Sequence, residues 1–107
     1  MVKEITDSQF DTAVIKASKQ KLVLVDFWAT WCAPCLALAP ILEDLSKEFK
    51  GKVDIVKIDV DANPEVANSL GIKSIPTLIV FKDGKAIIKE VGVKNKNDLV
   101  KIIKESL

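Results

Sequence analysis

Leu22-Val23-Leu24-Val25-Asp26-Phe27-Trp28-Ala29-Thr30-Trp31-Cys32-Ala33-Pro34-Cys35 is the stretch that decides how this chain folds. Residues 22–28 are apolar except for Asp26, and a strand buried on both faces reads that way. It is expected to be a central strand with helices on both sides of its sheet. From Leu36 to Phe49 the pattern changes to helical spacing, with Leu38, Ile41, Leu42, Leu45 and Phe49 on one face. Pro40 lies inside that helix, removes one backbone hydrogen bond and is expected to kink it. The two cysteines therefore sit where a strand hands over to a helix.

That position has chemical consequences. The first turn of a helix carries unpaired N–H groups and the positive end of the helix dipole. A sulfur placed there is stabilised as the reactive thiolate. Cys32 falls near the cap, expected to be exposed, and Cys35 falls inside the first turn, expected to be more buried. Pro34 suits the turn, because its missing N–H would have had no helical partner. The two sulfurs are then close enough to cycle between dithiol and disulfide, and a C-x-x-C beside a βαβ pattern is a redox signature. Half of a zinc site is the first competing reading, but a closed site needs four ligands and the chain has no His and only these two Cys. A purely structural disulfide is the second, but so short a loop gains little from closure. A vestigial pair on a binding module is the third, since a fold does not guarantee an activity.

The rest of the chain reads as one domain, residues 1–107, with a core of its own. Hydrophobic residues make up 49% and charged residues 29%, the balance of a soluble globular protein. The net charge is +1 and the sixteen basic residues, all Lys, are scattered among acids. Neither nucleic acid nor a strongly acidic partner is implied. No apolar run reaches the length of a membrane span, and Met1-Val2-Lys3-Glu4-Ile5 does not resemble a secretion signal. A cytoplasmic, monomeric protein is expected.

Residues 2–5 read as a short edge strand. Thr6-Asp7-Ser8-Gln9 fits a capping box, followed by a helix over 7–18 with Phe10, Ala13, Val14 and Ala17 inward. Val53 to Ile58 makes a strand, with Lys57 among its apolar residues. Asn63-Pro64 opens a helix over 64–69 that Gly71 stops. Thr77 to Phe81 is a strand. Asp83-Gly84 is a two-residue hairpin signal, so Ala86 to Val91 pairs antiparallel with it. Asn95 caps a last helix carrying Leu99, Ile102 and Ile103 inward. The order βαβαβαββα predicts an α/β fold with a mixed sheet and helices on both faces.

Asp26 interrupts a buried apolar run, where an unpaired carboxylate is costly and desolvation raises its pKa. It is a candidate base for Cys35, or a structural carboxylate satisfied by hydrogen bonds or by Lys57 in the neighbouring strand. The residues alone leave the two readings open. Trp28 reads as core, and Trp31, in the loop before the helix, reads as a contact surface.

These residues together resemble the thioredoxin family across essentially the whole chain. The resemblance rests on Val25-Asp26-Phe27-Trp28-Ala29, Trp31-Cys32-x-Pro34-Cys35, Ala39-Pro40, Lys57, Asp59, Asp61, Gly71-Ile72, Ile75-Pro76-Thr77, Phe81, Gly84 and Gly92. It implies a five-stranded sheet of order 1-3-2-4-5 flanked by four helices, with a cis Ile75-Pro76 bond facing the sulfurs. It implies Cys32 as nucleophile, Cys35 as resolving cysteine, and Asp26 with Lys57 in proton transfer. It further implies a substrate surface of Trp31, Ala33, Pro34, Ile75, Pro76, Gly92 and Val93. The implied activity is reduction of disulfides in client proteins, without a bound cofactor, with electrons from a thioredoxin-reductase-like flavoprotein. An oxidase or isomerase of the same fold would differ in redox poise, and a binding subunit would use the fold as a scaffold. The chain departs from the family in two places: Ala33 replaces the usual Gly, and Leu36 replaces the usual Lys or Arg.

Overall fold

The computed structural model describes residues 1–92 and 94–107. Val93, expected on the substrate surface, lies outside the described residues. The strands are β1 (Lys3–Glu4), β2 (Leu22–Trp28), β3 (Val53–Asp59), β4 (Thr77–Lys82) and β5 (Lys85–Val91). They form one sheet in the order β1-β3-β2-β4-β5. β2 runs parallel to β3 and antiparallel to β4, and is central as its apolar run predicts. The helices α1 (Ala33–Glu48), α2 (Pro64–Ser69) and α3 (Lys96–Ser106) follow β2, β3 and β5. The last is capped by Asn95, whose Oδ1 accepts from the Asp98 N–H at 2.8 Å.

Strand alternation assigns each side chain of β2 to one of two cores. Leu22 and Leu24 join Leu38, Leu42 and Leu45 of α1 and Leu99 and Ile103 of α3. Val23, Val25 and Phe27 join Phe10 and Val14 on the opposite face, with Ile79 and Phe81 of β4. Continued along the strand, the same parity puts Asp26 and Trp28 on the α1 side. In β3, Val53 and Ile55 face α1, so Lys57 does as well, and it is the register partner of Asp26.

Three details differ from the sequence reading. β1 is confined to Lys3 and Glu4, pairing with Val56 and Lys57. The helix expected over 7–18 is irregular: a 3-10 turn (Asp7–Gln9), a π stretch (Asp11–Lys16) and a second 3-10 turn (Ala17–Lys19). Its capping residue Gln9 still reaches back, accepting from the Thr6 N–H at 3.0 Å. Asn63 begins α2 but does not cap it with its side chain; its Oδ1 accepts instead from the Asp7 N–H at 2.9 Å. The cap comes from Asp7, whose two carboxylate oxygens accept from the N–H groups of Glu65 and Val66 at 3.1 and 3.0 Å.

The β4–β5 hairpin turns at Asp83 and Gly84, with φ of 54° and 81°, the paired left-handed conformations that favour Asp-Gly. Ser18 fastens this turn to the N-terminal helical segment. Its backbone oxygen accepts from the Asp83 N–H and its Oγ from the Gly84 N–H, both at 2.8 Å.

The borrowed cap generates a stability prediction. Asp7→Ala removes both acceptors at the start of α2 and is expected to destabilise the protein by about 1–2 kcal/mol. Asp11→Ala, in an exposed ion pair with Lys16, is expected to change stability by less than about 0.5 kcal/mol. Urea denaturation of both variants measures the difference, and equal effects would remove the capping role.

Candidate active site

The strand-to-helix handover puts Cys32 at the N-cap of α1 and Cys35 in its first turn, with Pro34 in the same turn. The two sulfurs form a disulfide, with Cα atoms 5.2 Å apart. Cys32 Sγ accepts from the Cys35 N–H at 3.3 Å. When the disulfide opens, that N–H and the helix dipole are already directed at the charge developing on Cys32.

Cys32 is more enclosed than the sequence reading expected. It is 4% exposed against 2% for Cys35, so the two differ little. The cause is packing, because Trp28, Val60 and Ile75 lie against the Ala29, Cys32 and Cys35 cluster. Ile75-Pro76 is a cis peptide. Gly92, at φ 92°, donates its N–H to the Pro76 carbonyl at 2.8 Å. Ile75 and Gly92 are thereby brought to the cysteine end of the sheet. Among the described residues, no hydrogen bond engages the backbone of Ile75.

Trp31 is 69% exposed and Leu36 is 51% exposed, one on each side of the cysteines, and Ala33 and Pro34 between them are exposed too. The Trp31 ring is fixed by Asp61, whose carboxylate accepts from its Nε1–H at 2.6 Å. The Asp61 backbone is in turn held by Asp59, whose Oδ1 accepts from the N–H groups of Asp61 and Ala62 at 2.9 and 3.3 Å. The roles of Asp59 and Asp61 are not apparent from sequence; their two-residue spacing at the end of β3 was the available signal.

Beneath the cysteines lies a cavity of about 30 Å³, large enough for a water molecule. Asp26, Lys57, Cys35, Glu43 and Leu36 are among the residues that line it. Asp26 is 2% exposed, and its Oδ1 has no hydrogen-bond partner among the described residues. Burial pushes its carboxyl up from 3.8 to about 7, and the positive charge of Lys57 opposes this only in part. Lys57 does not close an ion pair with it; its ammonium lies 4.5 Å from the centre of the Trp28 ring, a cation–π contact. Trp28 is accordingly half-buried between Lys57 and the cysteine cluster. Among the described residues, no group of three or more His, Cys, Asp or Glu could hold a metal ion.

Such a site, a helix-capping C-x-x-C above a buried carboxylate on this sheet, defines a thiol–disulfide oxidoreductase. A sequence model of the family described as thioredoxin matches residues 1–105. The thioredoxin of Staphylococcus epidermidis is 48% identical over 104 residues, covering 97% of this chain and 96% of its own length. That of Staphylococcus aureus is 47% identical with the same coverage. The chain belongs to the thioredoxin family, and its activity is disulfide reduction through the Cys32–Cys35 pair.

The raised carboxyl of Asp26 makes stability depend on pH. Between about pH 4 and 7 the folded state keeps a proton that the unfolded chain has given up, so stability falls as pH rises through that window. The loss is complete above about pH 7. A shift of about three units sets a ceiling of about 4 kcal/mol, and hydration of the cavity reduces it. Asp26→Ala is expected to fold, to gain about 1–3 kcal/mol at pH 8 and to lose most of the slope between pH 4 and 7. Denaturant midpoints measured across that range check this; a destabilised variant with the original slope would contradict it.

Proposed function

We propose that the protein cycles electrons from a flavoprotein reductase to disulfides of client proteins, in the cytoplasm, where thiols are kept reduced. The observation that carries the mechanism is the cavity shared by Cys35 and Asp26, whose Oδ1 has no hydrogen-bond partner among the described residues. Cys32 thiolate attacks a substrate disulfide, forming a Cys32–substrate bond and expelling one substrate thiolate. Asp26, as carboxylate, takes the proton of Cys35 through the cavity. Cys35 Sγ then attacks Cys32 Sγ and expels the second substrate thiolate. The protein dithiol is oxidised by two electrons and the substrate disulfide is reduced by two. The reductase restores the dithiol.

Asp26 suits the role of base because a group titrating near the working pH both takes and returns a proton. A purely structural carboxylate would be expected to have its buried oxygen satisfied. Lys57 favours the ionised form without closing an ion pair on it. Clients are read as docking on Trp31, Ala33, Pro34, Ile75, Pro76, Gly92 and Val93. The backbone of Ile75, unengaged among the described residues, supports extended, strand-like pairing with a client segment. An exposed Ala33 accommodates the departure from Gly, because its methyl group meets solvent.

With a dithiol donor, the protein is expected to accelerate reduction of an accessible protein disulfide. Cys35→Ser is expected to accumulate mixed disulfides through Cys32, and Cys32→Ser to accumulate few. Gel-shift trapping with one disulfide client measures both; equal trapping would overturn the assignment of roles.

Leu36 supplies an apolar surface where the family usually has a cation. Leu36→Lys places an exposed charge near the sulfurs, worth at most about 1 kcal/mol, so a small-molecule disulfide is expected to react at nearly the original rate. A protein client is expected to respond more, and in a salt-dependent way, because a surface charge acts on encounter. Rates for both substrates at low and high salt are the measurement. Identical, salt-independent responses would show Leu36 to be a neutral replacement.

A further inference from the structure

A buried base must lose its proton again before the next turnover, and Asp26, 2% exposed, meets its surroundings through the cavity it lines. The charged groups facing its cavity are Lys57 from β3 and Glu43 from α1; β1 is followed back by Val2, which also lines it. On the other side β4 presents Leu78, the register partner of Asp26. An ammonium has no lone pair with which to accept a proton, whereas a carboxylate has several. Glu43 is the second carboxylate on the cavity wall and, unlike Asp26, is half-exposed. Its Oε1 accepts from the Val2 N–H at 3.1 Å, which holds the side chain where the chain preceding β1 meets α1. One carboxylate is therefore inside the cavity and one is at its edge, with room for a water in the space they line.

We infer that Glu43 is the group through which Asp26 exchanges its proton with solvent. The proposal rests on Asp26 serving as the base for Cys35 and adds the exit. After Cys35 has given its proton to Asp26, the neutral Asp26 carboxyl passes a proton along the cavity water to the Glu43 carboxylate. Glu43 releases it to bulk water, and Asp26 is left ionised for the next cycle. No electron moves in this step and no bond to sulfur changes. Glu43 acts through Asp26 and touches neither the sulfurs nor the client. The causes that set the Asp26 carboxyl are burial, which raises it, and the positive charge of Lys57, which opposes this. Removing the charge of Glu43 is therefore expected to act on the rate of proton exchange more than on its midpoint.

The test uses the oxidised protein, in which the cysteines do not titrate, labelled with 13C at the aspartate carboxyl carbons. Relaxation dispersion of the Asp26 carboxyl signal through its titration gives both midpoint and exchange rate. Glu43→Gln keeps an acceptor for the Val2 N–H and removes only the ionisable group. It is expected to leave the midpoint near that of the parent, to slow exchange about tenfold in dilute buffer, and to recover when formate is added as a small diffusible acid. Glu43→Asp is expected to retain most of the parent rate. An unchanged rate in Glu43→Gln would overturn the proposal. So would a moved midpoint without formate rescue, which would make Glu43 an electrostatic neighbour only. Resolution of the Cys32 mixed disulfide in Asp26→Asn, measured separately, reports on the base itself. An unaffected resolution rate there would remove the role of Asp26 while the exchange data still decided whether Glu43 is its exit.

Discussion

Burial of one carboxylate under the first turn of a helix is the constraint from which the site follows. Asp26 sits on the face of β2 that Leu22 and Leu24 devote to the core beneath α1. That parity is fixed by the two-residue alternation of a strand and cannot be relaxed locally, because a one-residue slip would turn every β2 side chain to the other face. The handover from β2 to α1 is short, so the first turn of α1 and its cysteine lie over the end of the same face. Parallel pairing with β3 then sets Lys57 opposite Asp26. Asp26, Cys35 and Lys57 are thus brought together by strand alternation and register.

The sheet order explains why this end of the molecule, and not the other, carries the chemistry. β2 lies between β3, which runs with it, and β4, which runs against it. In open α/β sheets the crevice beyond the carboxyl ends of the parallel strands is where ligands bind. Here that crevice is walled by the Trp31 loop, by Ile75 and Pro76 before β4, and by Gly92 after β5. The last two walls are tied by the hydrogen bond from Gly92 to Pro76. Distant polar side chains fix the rest. Asp7 holds the start of α2, and Asp59 and Asp61 hold the loop between β3 and α2 against Trp31. The surface proposed to receive extended client segments is therefore built mostly from loops whose backbones are pinned at separate points.

Much of this was legible in the sequence, for identifiable reasons. Periodicity located β2, α1, β3, β4 and α3, because each buries an apolar face whose spacing is set by its own geometry. Asp83-Gly84 announced the hairpin, since few residue pairs accept two left-handed conformations. The strand order came only from resemblance, because spacing along the chain does not say which strands become neighbours. Sequence also failed where one segment satisfies another far away. Asn63 had the form of a cap, yet its side chain serves Asp7, and Asp7 supplies the cap. Nothing within either segment encodes that exchange across fifty-six residues. The irregular turns over Asp7–Lys19 were missed for a related reason. The apolar positions Phe10 and Val14 satisfy a helical spacing and are buried, but Ser18 is engaged by the β4–β5 turn and ends the segment in 3-10 geometry. At the site, Asp26 was singled out by its apolar setting, whereas Glu43 gave no signal, being one acid among several on a helix with a polar face.

The penalty attached to Asp26 and its usefulness have one physical origin. Burial, and an Oδ1 with no hydrogen-bond partner among the described residues, raise the free energy of the carboxylate relative to the acid. The same difference makes the carboxylate a stronger base than an exposed aspartate would be. A tight ion pair with Lys57 would recover stability and lower basicity together, because both depend on the energy of the charged form. The observed arrangement, with the ammonium on the Trp28 ring and its charge acting only in part on Asp26, keeps the carboxyl near neutrality. A domain stabilised by about 5–15 kcal/mol tolerates a local cost of about 1–3 kcal/mol. Here the two apolar clusters on either side of the sheet supply that margin. Because the cost falls on the ionised state alone, it would be relieved each time Asp26, in its proposed role, took the proton of Cys35. On that proposal, part of the driving force for the resolving step is stored in the fold.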